Sequence, residues 1–181
     1  MVNKAVFLDR DGTLNDDPGY LNRPEQMILL SGVGQGLQAL KRRGFLLVVV
    51  SNQSGVGRGL IPPGVLPQIH QRLQDLLAPF EVAIDHFELC FHRPEDDCDC
   101  RKPKPKLILD AAQKLGIQLS QSYMIGDKRS DIEAGQAAGC KGSLLVRTGE
   151  GRNTEKNGSQ SGGAKFVGDS LIEVADWILR Q

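Results

Sequence analysis

Apolar residues along this chain gather in blocks of two kinds. Short runs at Ala5–Leu8, Phe45–Val50, Tyr123–Ile125 and Leu144–Val146 read as strands buried on both faces, and Val82–Leu89 reads as a further strand. Between them, apolar positions recur at helical spacing: Val33, Leu37 and Leu40; Leu66, Ile69, Leu73 and Leu76; Leu107, Ile108, Ala111, Ala112 and Leu115; Ile132 to Ala138; and Leu171, Val174, Ala175 and Ile178. Arg42-Arg43-Gly44 and Gly116 supply helix stops. Strands alternating with helices predict an α/β protein with a doubly wound parallel sheet. The polar stretch Gly12 to Glu25, with Pro18, Gly19 and Pro24, reads as a loop over the mouth of a crevice. Gly149 to Gly163, rich in Gly, Ser, Asn and charge, reads as a solvated, mobile loop, with a flap over the site as the alternative.

A length of 181 residues suits a single domain, here 1–181, with small insertions. The 22 basic and 22 acidic residues cancel, which leaves no global field to draw in nucleic acid or an anionic membrane. The four apolar residues before Asp9 are too few for a signal-peptide core or a membrane span, so a cytoplasmic protein is expected. A monomer is the expected state.

Candidate chemistry enters at the ends of the strands. The first ends in Asp9 and Asp11, the second in Ser51 and Asn52, and the one at Tyr123–Ile125 in Asp127, with Asp131 on the helix that follows. In a parallel sheet all carboxyl ends share one edge, so residues far apart in sequence converge there. A phosphate ester at that edge would find in Asp9 a nucleophile, in Asp9 and Asp127 ligands for Mg²⁺, in Lys102 and the Ser51 hydroxyl a cradle for the transferring group, and in Asp11 a general acid and base. Each residue also has a bland reading. Ser51-Asn52 suits a helix cap, Lys102 a solvated basic run, and Asp131 either the dipole of its helix or a partner of Lys102 or of the metal.

Cys90, His92, Cys98 and Cys100 lie within one short segment and supply three thiolates and an imidazole, the ligand set of a closed, structural Zn²⁺ site. Its expected effect is to shape the loop presenting Arg101 and Lys102, which follow the last ligand. Cys140 stands apart and reads as a small buried hydrophobe.

Asp9-Arg10-Asp11-Gly12-Thr13, Ser51-Asn52, Lys102 and Gly126-Asp127 with Asp131 resemble the four motifs of haloacid-dehalogenase-like phosphatases. Cys98-Asp99-Cys100-Arg101-Lys102-Pro103 is similar to the zinc loop of two groups within them, the D-glycero-D-manno-heptose bisphosphate 7-phosphatases and the histidinol-phosphatases. The resemblance runs from about Lys4 to Gly149. It implies a Rossmann-like, haloacid-dehalogenase-like domain with a small zinc-binding loop at about residues 90–100, and an aspartyl-phosphate mechanism in which the Mg²⁺ also takes the backbone carbonyl of Asp11. Asp17-Pro18-Gly19-Tyr20, Asn52-Gln53-Ser54-Gly55-Val56-Gly57-Arg58-Gly59, Lys128 and Arg147-Thr148-Gly149 look more like the heptose enzymes, with Ser51 keeping the hydroxyl where threonine is frequent. The expected substrate is therefore a sugar bisphosphate on the route to nucleotide-activated heptose, with Asp17, Tyr20, Asn52, Gln53, Ser54, Arg101 and Lys128 as its contacts. Arg101 and Lys128 suit a second dianion and would repel the ammonium of histidinol phosphate. Histidinol-phosphatase is the alternative within the family, and a non-catalytic, zinc-stabilised phosphate-binding module the alternative outside it.

Overall fold

The computed structural model describes residues 2–157 and 163–181. Six strands form one parallel sheet: β1 Lys4–Leu8, β2 Phe45–Asn52, β3 His86–Cys90, β4 Tyr123–Gly126, β5 Gly142–Val146 and β6 Phe166–Gly168. They lie in the order β3-β2-β1-β4-β5-β6. β1 is central, with Leu8 opposite Val49 on one side and Ile125 on the other. The chain winds outward from β1 in one direction and then restarts beside it at β4, so the strand order reverses between β1 and β4. That switch point leaves a crevice beyond the carboxyl ends of the two strands.

The helices are α1 Val33–Arg42, the single turn α2 Ser54–Gly57, α3 Leu66–Leu77, α4 Lys106–Leu115, α5 Arg129–Ala137, α6 Gly151–Asn157 and α7 Leu171–Leu179. Alternation along β1 divides the core between the two faces of the sheet. Val6 and Leu8 pack with Leu37 and Leu40 of α1, Ile69 and Leu73 of α3 and Val174 and Ile178 of α7. Ala5 and Phe7 pack with Leu107, Ile108 and Ala111 of α4 and Ala134 of α5. With both faces covered, the strands need continuous apolar runs, which is the pattern they carry.

Three stretches differ from the sequence reading. The third strand begins at His86, not Val82: the Asp85 carboxylate takes the Leu47 N–H at 2.7 Å, and the Gln74 amide donates to the Ile84 carbonyl and accepts from its N–H. One backbone bond, from the Asp85 N–H to the Leu47 carbonyl at 2.9 Å, remains, and side chains otherwise take the place of a ladder over this stretch. β6 adds an edge strand of three residues, too short for a periodic signal. Within Gly149 to Gly163, read as a mobile loop, Gly151–Asn157 is the helix α6, while 158–162 lie outside the described residues. Polar contacts hold this helix: the Thr154 hydroxyl donates to the Asp127 carbonyl at 2.8 Å, and Arg147 bonds both carboxylate oxygens of Glu155 at 2.7 and 2.8 Å. A helix anchored without an apolar stripe is invisible to hydrophobic periodicity. Among the described residues, no helix is long and apolar enough to cross a membrane.

Candidate active site

The carboxyl ends of β1, β2 and β4 open into a cleft of about 490 Å³ lined by Asp9, Asp11, Ser51, Lys102, Asp131 and other polar residues. Lys102 forms its floor. The Lys102 ammonium donates to Asp9 Oδ1 at 2.6 Å and to the Val50 carbonyl at 2.7 Å, and it stands 2.7 Å from Asp131 Oδ1. Burial opposes the charge on Lys102, but Asp131 and Asp9 outweigh it and hold its pKa above the ordinary lysine value. Asn52 sets this lysine in place by a two-point bond: its amide donates to the Lys102 carbonyl at 3.1 Å and accepts the Lys102 N–H at 3.0 Å. A residue at the end of β2 thereby fixes one that arrives from the cysteine loop fifty positions later.

Asp131 combines two of the tasks open to it in the sequence. One oxygen meets Lys102 and the other accepts the Lys128 N–H at 3.0 Å, at the start of α5. Burial raises its pKa, against the pull of Lys102.

Asp127 is fully buried at the end of β4. Its Oδ2 accepts the Glu150 N–H at 2.8 Å and its Oδ1 the Thr13 hydroxyl at 3.4 Å. Gly12 and Gly149 close on it so tightly that a Cβ at either would overlap its carboxylate, and both have positive φ, +87° and +50°. Burial, followed by the nearby Asp9 charge, pushes Asp127 up to about 7. Ligand oxygens of Asp9, Asp127 and Asp131 lie within 4.8 Å of one another. Such an all-oxygen set matches the preference of Mg²⁺ for carboxylates.

Asp11 is held otherwise. Its Oδ1 accepts from Arg10 Nε at 2.9 Å and Asn15 Nδ2 at 3.0 Å, and its Oδ2 from Arg10 Nη2 at 2.7 Å and Gln53 Nε2 at 2.8 Å. Burial works to raise its pKa, but the Arg10 charge and the bonds from Arg10, Asn15 and Gln53 prevail and lower it.

The sugar-facing candidates separate into two groups. Asp17, Tyr20, Asn52, Ser54, Arg101 and Lys128 all line the cleft, joined by Gly19 and Ser130. Lys128 reaches across the mouth to within 3.5 Å of Asp17, and Arg101 is braced on the His92 carbonyl at 3.2 Å. Burial acts against the Lys128 charge, but Asp9, Asp127 and Asp17 raise its pKa. Gln53 is buried behind this wall, its amide occupied by Arg10, Asp11 and Ser51. Arg10, Thr13, Asn15, Glu150 and Thr154 support the site yet carried no role in the sequence reading. Arg10 and Thr13 lay inside the first motif, whereas nothing local marks a backbone N–H or a single threonine on a polar helix.

At the end of β3, Cys90, His92, Cys98 and Cys100 converge. Cys90 Sγ is 3.0 Å from Cys100 Sγ and 3.6 Å from Cys98 Sγ, Cys98 and Cys100 are 3.7 Å apart, and His92 Nδ1 is 3.3 Å from Cys100 Sγ. A tetrahedron with metal–sulfur bonds of about 2.3 Å has edges of about 3.8 Å, close to this spacing. Burial, then the Cys100 hydrogen bond, pushes the Cys90 thiol up to about 12, a cost that coordination as thiolate would remove.

Comparison with known proteins gives one consistent result. A family model described as HAD-hydrolase-like matches residues 99–174. A D-glycero-beta-D-manno-heptose-1,7-bisphosphate 7-phosphatase of Haemophilus influenzae is 40% identical over 179 residues, covering 96% of this chain and 95% of that one. A protein of the same name from Escherichia coli K12 is 37% identical over 98% of this chain and 94% of its own. Among solved structures, the D,D-heptose 1,7-bisphosphate phosphatase of B. bronchiseptica, complexed with magnesium and phosphate, superposes with a TM-score of 0.91 at 35% identity, covering 98% of each chain.

Proposed function

This chain belongs to the heptose-1,7-bisphosphate 7-phosphatase family of haloacid-dehalogenase-like phosphatases, and from that starting point we propose that it removes the 7-phosphate of D-glycero-D-manno-heptose 1,7-bisphosphate. The observation that carries the reading is the distribution of charge in one cleft. Lys102 sits 2.6 Å from Asp9 at the floor, while Arg101 and Lys128 stand along the walls, so the cleft offers cations for two phosphates.

In the proposed reaction an Asp9 oxygen attacks phosphorus, and the bond from phosphorus to the sugar oxygen breaks. Asp11, after taking up a proton against the Arg10 charge that lowers its pKa, gives that proton to the oxygen as it leaves and recovers one from the water that hydrolyses the aspartyl phosphate. The Ser51 hydroxyl and the Lys102 ammonium hold the phosphoryl oxygens, and Asp131 keeps the ammonium aimed. A Mg²⁺ held by the carboxylates of Asp9 and Asp127 and the carbonyl of Asp11 would, when bound, neutralise charge on nucleophile and phosphate. The B. bronchiseptica relative is complexed with magnesium and phosphate, which supports Mg²⁺ as the ion. Zn²⁺ at Cys90, His92, Cys98 and Cys100 would be structural, bracing the loop that ends in Arg101 and Lys102.

Turnover of both anomers of the heptose bisphosphate, compared with histidinol phosphate, tests the substrate; the relatives' names point to the β anomer. A preference for histidinol phosphate would overturn the reading. Asp9→Asn should abolish turnover while the circular dichroism spectrum stays that of the folded parent, and substantial residual activity would refute the covalent mechanism.

A further inference from the structure

Arg10 and Gln53 fit neither the substrate nor the metal, yet both are almost wholly buried, at 0% and 3% exposure, between the two groups assigned to chemistry. The Gln53 side chain spans them. Its Oε1 accepts from Arg10 Nη2 at 3.0 Å, and its Nε2 donates to Asp11 Oδ2 at 2.8 Å and to Ser51 Oγ at 2.9 Å. The orientation of this amide is forced. Turned over, it would set an acceptor against the Asp11 carboxylate and a donor against the guanidinium.

Two consequences follow from donor and acceptor counting. Ser51 Oγ already accepts a hydrogen bond from Gln53, so its own proton points elsewhere, and Ser51 lines the cleft. Asp11 accepts four hydrogen bonds, two on each oxygen, from Arg10, Asn15 and Gln53. That fixes the plane and the rotamer of the ionised carboxylate, and a proton taken up by Asp11 displaces one of these four donors. A buried ion pair such as Arg10 with Asp11 adds little net stability after desolvation, and here Arg10 Nη1 is left without a partner as well. An arrangement that costs stability and fixes direction is a positioning device.

We propose that Gln53, held by Arg10, is the positioning residue that sets the acid/base carboxylate of Asp11 and the phosphate-binding hydroxyl of Ser51 in register, and that it does not contact substrate. The proposal rests on the roles given above to Asp11 and Ser51. It deepens that reading by naming what ties the acid/base carboxylate to the phosphate-binding hydroxyl.

The test uses two simple esters without sugar hydroxyls, an alkyl phosphate and p-nitrophenyl phosphate. An alkoxide needs a proton as it leaves, whereas a nitrophenolate does not. Because kcat/KM reports the first irreversible step, misplacement of Asp11 should penalise the alkyl ester selectively. With general acid catalysis contributing about 10²- to 10⁴-fold, Gln53→Met should lower kcat/KM for the alkyl ester by roughly 100-fold and for the aryl ester by no more than about 10-fold, through kcat with KM little changed. Gln53→Asn, one methylene short of spanning both partners, should show the same selectivity and serves if Gln53→Met fails to fold. Asp11→Asn is the reference. If it penalises both esters equally, the acid/base reading falls. If it discriminates and neither Gln53 variant does, or if their effect lies in KM, the positioning role is refuted.

Discussion

Replacing Lys102 with Met removes the one cation that touches both Asp9 and Asp131, at 2.6 and 2.7 Å, on the floor of the cleft. Methionine fills much of the same volume, so packing changes little while the buried charge balance changes greatly. Asp9, Asp127 and Asp131 then remain as three buried carboxylates with ligand oxygens within 4.8 Å of one another. Stripping one partner from a buried pair costs about 3–5 kcal/mol. For a chain of this size about 2–4 °C of melting temperature corresponds to each kcal/mol, so the variant should melt roughly 6–20 °C lower at pH 7.

The pH dependence carries a sign. Burial and then the Asp9 charge already hold Asp127 up at about 7, against an ordinary 3.8, so the folded state binds more protons than the unfolded one between those values. Stability from this group is therefore complete below the ordinary value and is lost as pH rises towards 7. Lys102 is the charge that works against the burial-raised pKa of Asp131, so without it Asp131 binds a proton more readily and the deficit of the variant should shrink on acidification from pH 7 to pH 5. Thermal unfolding followed by circular dichroism, with no Mg²⁺ added, measures both effects. The double variant Lys102→Met with Asp131→Asn should recover part of the loss. A deficit under about 1 kcal/mol at pH 7, or one that widens towards pH 5, would refute the account of the cleft floor as a charge-balanced cluster.

Other outcomes follow from the same geometry. Gly12→Ala places a methyl group against the Asp127 carboxylate at a positive φ, and isothermal titration should show Mg²⁺ binding weakened by about 10- to 100-fold. Mg²⁺ should raise the melting temperature of the parent protein more at pH 7 than at pH 5, because protonation of Asp127 competes with the ion. A strong chelator should release zinc, detectable by elemental analysis, and lower the melting temperature; Cys100→Ser should already be depleted of zinc as purified, and a full zinc complement in that variant would count against the four-residue site.

Much of the architecture was legible along the chain because its elements are buried in ways that leave a periodic trace. β1, β2, β4 and β5 carry apolar runs because helices cover both faces of the sheet, and α1, α3, α4 and α7 carry stripes because each turns one side to it. The catalytic candidates stood out for a related reason. A strand that is apolar almost to its last residue and then polar or charged announces an edge, and Asp9, Ser51 and Asp127 all occur at such points. The parallel topology implied by the strand and helix order was enough to bring them together.

The tertiary structure decided which group each residue serves. Asn52 and Gln53 are adjacent polar residues in the sequence, but one latches Lys102 at the cleft and the other is buried against Arg10, Asp11 and Ser51. Asp131 presented a choice between helix start and lysine partner, and its two oxygens divide the tasks. α6 escaped notice because what holds it, a threonine on the Asp127 carbonyl and a glutamate on Arg147, is specific and polar. Hydrophobic burial acts on whole faces and so repeats through a sequence, which is why the fold and the location of the cleft could be read from it. A hydrogen bond joins two particular atoms whose positions depend on the complete fold, so the partners of Asp11, Lys102 and Asp127 became visible only in three dimensions.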